Sequence, residues 1–241
     1  LYNWGRKRVR KEERRPHLTL HTRIVLVSTV SLLVLGTVLT LGLEYDHTLK
    51  DLNFWEKLNA SFFQSVTART AGYATIPQGE LGDATKLVTI ILMFIGASPS
   101  STGGGIKTTT FVVLVATVVS ISRGRDETVI NKRRVDKSVV YRAMTIVAMA
   151  FLVIAITSGV IMVTTPPEVS AIDAVYEAVS AFGTVGLTTG LTPDLSIVAK
   201  ILVMLTMFIG RVGPISLVLA LTMKHSGGPG KILPEGKVIV G

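Results

Sequence analysis

The sequence predicts an all-α integral membrane protein built from one unit used twice, and three observations carry that expectation. The segments 24–43, 138–163 and 195–223 all contain apolar runs long enough to cross a hydrocarbon core about 30 Å thick. Thr70-Ala71-Gly72-Tyr73 returns 114 positions later as Thr184-Val185-Gly186-Leu187. The same offset holds without a gap into the next apolar run, where KLVTIILMFIG at 86–96 lies against KILVMLTMFIG at 200–210 with Lys, Met, Phe, Ile and Gly coinciding. A lone Thr-X-Gly is a turn and nothing more. Recurrence at one fixed offset in matching surroundings marks a duplicated module.

Composition narrows the chemistry. Among 241 residues, 48% are hydrophobic and none is cysteine, which removes disulfides, thiolate nucleophiles and thiolate metal sites together. His17, His21, His47 and His225 show no ligand-like spacing. The net charge of +9 would suggest nucleic acid in a soluble protein, but its distribution points elsewhere. Basic residues cluster before the first span, in the 123–137 segment and after the last span, while the remaining connections lean acidic through Glu44, Asp46, Asp51, Glu56, Glu80, Asp83, Glu168, Asp173 and Asp194. The positive-inside rule then puts the basic segments and both chain ends in the cytoplasm. The opening at Leu1 on a basic stretch leads us to expect a piece of a longer polypeptide.

Taken in order, 1–21 reads as a basic cytoplasmic linker, with Tyr2 and Trp4 at headgroup level. The first unit covers 22–122. Its outer span, 24–43, runs outward, and 54–66 forms a helix of about 20 Å, too short to cross. Such a helix is re-entrant, and its C-terminal end directs about half a negative charge at the loop 67–73. A cation is the natural guest there. Backbone that leaves a helix at membrane depth is tolerated where it lines a polar path.

The stretch 84–122 is too long for one straight span, and its middle, 96–110, holds three consecutive glycines, a proline and seven hydroxyl residues. No continuous helix prefers that composition. Two half-helices, 84–95 and 111–122, joined by an intramembrane loop are expected. A phosphate-binding loop is excluded, because Ile106 separates Gly105 from Lys107 and no parallel-sheet pattern surrounds it. After the cytoplasmic loop 123–137, the second unit, 138–223, repeats the plan with a short helix at 172–182, a loop at 183–190 and an inner span whose break is compressed to Gly210-Arg211-Val212-Gly213-Pro214. Arg211 at mid-span is expected to face a cavity. A tail, 224–241, closes the chain in the cytoplasm.

Two copies of outer helix, re-entrant pore helix, Thr-X-Gly filter loop and inner helix, with a broken inner helix after Met93-Phe94-Ile95-Gly96 and an arginine after Met207-Phe208-Ile209-Gly210, resemble the superfamily of potassium transporters containing KtrB, TrkH and the plant HKT proteins. The closing residues 234–241 look most like the KtrB branch. Members carry four such repeats around one pore. The resemblance therefore implies that this chain holds the third and fourth repeats.

The resemblance also implies roles. Carbonyls at Thr70, Ala71, Gly72 and Tyr73 and at Thr184, Val185, Gly186 and Leu187 would replace the hydration shell of potassium, with the ion held chiefly at Gly72 and Gly186. Tyr73 is followed by Ala74 and Leu187 by Thr188, so the second filter glycine of tetrameric potassium channels is missing and looser selectivity is expected. Gly103, Gly104, Gly105, Lys107 and Arg211 would form a gate beneath the filter, and Arg69 is expected to point behind the filter towards a carboxylate. Implied partners are a second copy of the membrane subunit, forming a homodimer, and a cytosolic ring of KtrA-like RCK subunits that bind nucleotide. Potassium would be the substrate and sodium an activator, with no covalent cofactor, no enzymatic activity and a prokaryotic plasma membrane as location. The basic residues 123–137 would contact the ring, or act as topology determinants drawn to anionic lipid. The competing class is an alternating-access symporter that uses broken helices for midplane ion sites.

Overall fold

The structure is a computed structural model that describes residues 19–99, 101–125, 127–131, 133–165 and 169–213. Expectations for the linker before residue 19, for Pro214, for the remainder of the last span and for the tail 224–241 lie outside the described residues.

Among the described residues, seven helices account for nearly all the regular structure. Leu20–Glu44 (α1) is capped by Thr19, whose Oγ1 accepts from the Thr22 amide, and Lys137–Thr164 (α5) is capped by Asp136 in the same way through Ser138. These two alone are both long and apolar enough to cross a membrane among the described residues. Phe54–Thr67 (α2) and Ala171–Gly183 (α6) are the short helices that follow them. Asp83–Phe94 (α3) and Thr108–Ser122 (α4) are the two halves of the broken inner helix, and Ile197–Val212 (α7) is its counterpart in the second unit. Single 3₁₀ turns at Gln78–Glu80 and Thr192–Asp194 add a further repeat of the 114-residue offset.

Many large apolar side chains lie on the outside, and many hydroxyls lie between helices. Val27, Val30, Val34 and Val38 of α1 and Ile197, Ile201, Met204 and Phe208 of α7 are exposed, whereas Ser61, Gln64, Ser65, Thr67, Thr89 and Thr206 are buried. Apolar exteriors at no cost and hydroxyls packed between helices are what a lipid solvent selects. Thr157 of α5 and Thr206 of α7 share a 2.7 Å hydrogen bond, and Ser65 Oγ of α2 donates to the Leu33 carbonyl of α1 at 2.9 Å. Gly36 allows that second contact, since a Cβ there would overlap the Ser65 hydroxyl and approach Leu92 Cδ1 to 2.8 Å.

The centre of the molecule lies between α3 and α6. Met93, Ile106, Tyr176 and Phe182 are fully or almost fully enclosed there, together with Val185 and Leu187. Two charged contacts fix the rest. Lys86 Nζ of α3 meets Asp173 Oδ1 of α6 at 2.8 Å, joining the first unit to the second. Glu44, at the end of α1, accepts from the Gly82 amide at 3.0 Å just before α3 begins, and from Thr48 Oγ1 at 2.8 Å.

Three details differ from the sequence-based expectation. Residues 108–110 belong to α4, so the interruption is 95–107, shorter than 96–110. Gly210 and Arg211 remain helical, and α7 stops only at Gly213, with φ +88°. The composition of 210–213 suggested a loop, but Gly210 sits where a Cβ would strike the Phe182 carbonyl, so the glycine serves helix packing. Finally, the 123–137 connection contains a minimal hairpin, Val129–Ile130 (β1) against Arg133–Arg134 (β2), turning at Asn131 with φ +48°.

Candidate functional site

Each short helix ends in a loop of unusual backbone. Thr70 has φ +72° and Gly72 φ +77°, and at the same offset Thr184 has φ +54° and Gly186 φ +91°. Glycine adopts that region freely, but a β-branched threonine there pays about 1–2 kcal/mol. Strain of this kind placed twice at one register points to a functional constraint.

Hydroxyls at the ends of the short helices hold these loops. Thr67 Oγ1 donates to the Tyr73 carbonyl and Ser180 Oγ to the Leu187 carbonyl, each at 2.6 Å. The anchors are six residues apart in the first loop and seven in the second. A second layer supports each loop from behind. Gln64 and Gln78 exchange two side-chain hydrogen bonds, at 2.6 and 3.1 Å, and Tyr176 of the other unit donates to Gln78 Oε1 at 2.8 Å. In the second unit Glu177 accepts from Thr188 Oγ1 through Oε1, and from Thr192 Oγ1 through Oε2 at 3.1 Å. Of these six residues the sequence reading named only Thr188, and gave it no supporting role. The signal available was the 114-residue offset between Gln78 and Thr192, polar residues at matching places beyond each loop.

The two loops meet backbone to backbone. A Cβ on Gly72 would overlap the Val185 carbonyl oxygen and lie 3.5 Å from Gly186 Cα. Thus Gly72, Val185 and Gly186 converge. Val185 and Leu187 are buried in the α3–α6 core, while Tyr73, at the equivalent of Leu187, is 73% exposed in this chain.

The interruption of the inner helix reaches the same place. Ile95 and Ile106 form a parallel bridge, and the Thr108 amide donates to the Ala97 carbonyl at 3.3 Å, so both ends of the 95–107 loop are pinned together. Its tip touches both Thr-X-Gly loops. The Gly104 amide donates to Thr184 Oγ1 at 2.9 Å, and a Cβ on Gly103 would come within 2.8 Å of Thr70 Oγ1. Gly105, with φ +70°, turns the chain back, and Lys107 Nζ donates to the Gly103 carbonyl at 2.5 Å. Three glycines are needed because side chains at Gly103 and Gly104 would fill the space that the threonines occupy.

Cations surround this contact. Arg211, exposed in the last turn of α7, lies within electrostatic reach of Lys107. Arg69 differs from expectation: it finds no carboxylate among the described residues, and its Nη2 donates to the Gly96 carbonyl at 3.3 Å. A loop carbonyl at the end of α3 is nearer than any acid, so Arg69 joins the first Thr-X-Gly loop to the interrupted helix. Its Nη1 is buried without a protein partner. The described residues hold no cluster of His, Cys, Asp and Glu able to bind a metal through side chains.

A family model described as "TrkH: Cation transport protein" matches residues 8–228. The chain belongs to the TrkH family. As a TrkH-family protein it is 36% identical over 235 residues to the Ktr system potassium uptake protein B of Bacillus subtilis (strain 168), covering 97% of this chain and 52% of that protein. It is 38% identical over 228 residues to the potassium/sodium uptake protein NtpJ of Enterococcus hirae, covering 93% of this chain and 51% of the relative. This TrkH-family chain thus spans about half the length of these relatives. Its fold is that of the potassium transporter TrkH from Vibrio parahaemolyticus, with a TM-score of 0.67 at 19% identity, over 85% of this chain and 44% of that one.

Proposed function

We propose that this chain forms half of a potassium uptake pathway, with residues 70–73 and 184–187 as two of four walls of a selectivity filter and the 95–107 loop as its gate. The observation that carries the reading is the convergence at one point of two strained Thr-X-Gly loops and a triglycine loop seated on both threonines. Backbone bent to positive φ at alternate residues can turn successive carbonyls towards one axis, where they substitute for water around a monovalent cation. The negative C-terminal ends of α2 and α6 add to the attraction. Ion movement is then driven by membrane potential, about 2.3 kcal/mol per charge for each 100 mV, with no hydrolysis by this chain.

Lys107 and Arg211 place positive charge beside the path while the 95–107 loop stays docked, and we assign them the closed state. Opening moves the loop away from Thr70 and Thr184. Control by a KtrA-like nucleotide-binding ring, assembly as a homodimer, activation by sodium and residence in a prokaryotic plasma membrane with basic loops inside belong to the same proposal. They are supported by the family membership and by the basic 123–137 segment.

The test is potassium and sodium uptake by potassium-starved cells expressing the complete protein, with Gly72→Ser and Gly186→Ser against wild type. A fall in potassium affinity or a rise in sodium admission in both variants is expected. Unchanged transport in correctly inserted variants would sink the filter reading and favour alternating access through the broken α3–α4 helix.

A further inference from the structure

We infer that the α1–α4 groove binds an anionic phospholipid, with acyl chain between the helices and phosphate at Arg23, Arg123 and Arg125. The groove is made of two cavities, of about 460 and 430 Å³, that share Ser28, Val112 and Asn131 and so run into one another. Its walls come from one face of each helix. Ile24, Val27 and Leu32 project from α1, and Val112, Val115 and Val119 project from α4 at the four- and three-residue spacing of a single stripe.

The rim has the opposite character. Arg23 borders one cavity, Arg123 and Arg125 border the other, and all three are exposed. None of them belongs to an ion pair among the described residues. Arg23 lies in the first turn of α1 and Arg123 caps the end of α4, so the cations mark the ends of these helices that join the basic segments. An apolar cleft with guanidinium groups at its mouth is complementary to one class of membrane molecule: a lipid with a net negative head group. Free phosphate would use the arginines but gain nothing from the valines. A zwitterionic lipid would use the valines, but its own ammonium group offsets the phosphate charge that three unpaired arginines favour.

This site is independent of what passes through the pore, although Phe111 connects the two regions. It lines the groove and also a second apolar cavity of about 370 Å³ between α4 and α5, which Ile95 and Ile106 of the gate loop share. Lipid in the groove therefore bears on the half-helix that carries Lys107 at its start.

Native mass spectrometry of the complete protein tests the proposal, with phosphatidylglycerol and phosphatidylcholine of identical acyl chains as probes. Wild type should retain phosphatidylglycerol over phosphatidylcholine by on the order of tenfold or more, since each arginine near a phosphate contributes to the preference. Combined Arg23→Gln, Arg123→Gln and Arg125→Gln should abolish that preference, and Val115→Trp should reduce retention of both lipids. Millimolar inorganic phosphate should not displace the bound lipid. Equal retention of the two lipids by wild type, or displacement by phosphate alone, would overturn the assignment. So would a Val115→Trp protein that keeps its lipid but no longer assembles, which would show that another protein segment fills the groove. The arginine variant changes only exposed side chains, so it reports even if the tryptophan variant fails to fold.

Discussion

The backbone amide of Gly104 donates to the hydroxyl of Thr184 at 2.9 Å, across eighty residues of sequence and between an interrupted helix and a strained loop. That bond ties the 95–107 loop to the second Thr-X-Gly segment. A Cβ at Gly104 would stand 2.5 Å from Thr184 Oγ1, closer than real contacts allow. Gly104→Ala should therefore loosen the docked loop. Losing a hydrogen bond of about 1 kcal/mol corresponds to roughly fivefold in an equilibrium. Potassium flux should rise by that order, with the potassium-to-sodium ratio unchanged, because Gly72 and Gly186 are not touched.

Lys107→Gln should raise flux as well, since it removes the charge-assisted bond to the Gly103 carbonyl and one of two neighbouring cations. Arg211→Gln should act in the same direction through charge alone. Uptake measured against membrane potential separates them: the Lys107 variant alters loop docking as well as local charge, so its gain should exceed that of Arg211→Gln. Unchanged flux in both would remove these residues from the gate.

Gln78→Leu should harm the first Thr-X-Gly loop without altering its sequence. The substitution leaves the amide of buried Gln64 and the hydroxyl of buried Tyr176 without their partner. Stranding a buried polar group costs about 1–3 kcal/mol. A lower thermal midpoint in detergent and increased sodium entry are expected, and a Gln78→Glu protein should fall between the variant and wild type.

The Lys86–Asp173 pair offers a cycle. Lys86 is 8% exposed and Asp173 21%, so either single neutralisation leaves a mostly buried charge unmatched, at about 3–5 kcal/mol for a fully buried pair and less here. Lys86→Met with Asp173→Leu should be closer to wild-type stability than either alone. Additive losses in the double variant would mean that the two residues act separately.

Much of this was legible from residue pattern because lipid imposes simple rules on length. The apolar run at 24–43 and the glycine-rich 96–110 segment correspond to α1 and to the α3–α4 interruption, displaced by only a few residues. Arg69 shows where pattern stops. Charge complementarity suggested an acid, yet a carbonyl at Gly96, twenty-seven residues away, was the nearer acceptor, and nothing in local sequence reports that distance. Gly210 was misread for a related reason. Glycine signals loop or close packing equally, and only the position of Phe182 on α6 decides between them. The Gln64–Gln78–Tyr176 cluster stayed hidden because its members come from three elements in two units.

The six-residue spacing from Thr67 to Tyr73 and the seven-residue spacing from Ser180 to Leu187 have an evolutionary side. Once the copies differ by one position, they are no longer interchangeable parts. A pore assembled from identical subunits must change all its quadrants together, whereas one encoded as tandem copies can let each diverge. Here one copy carries a triglycine break and a lysine, and the other a continuous helix and an arginine. The two units thus share one plan of helix, Thr-X-Gly loop and helix while differing in loop spacing, in the continuity of the following helix and in the cation placed beside it.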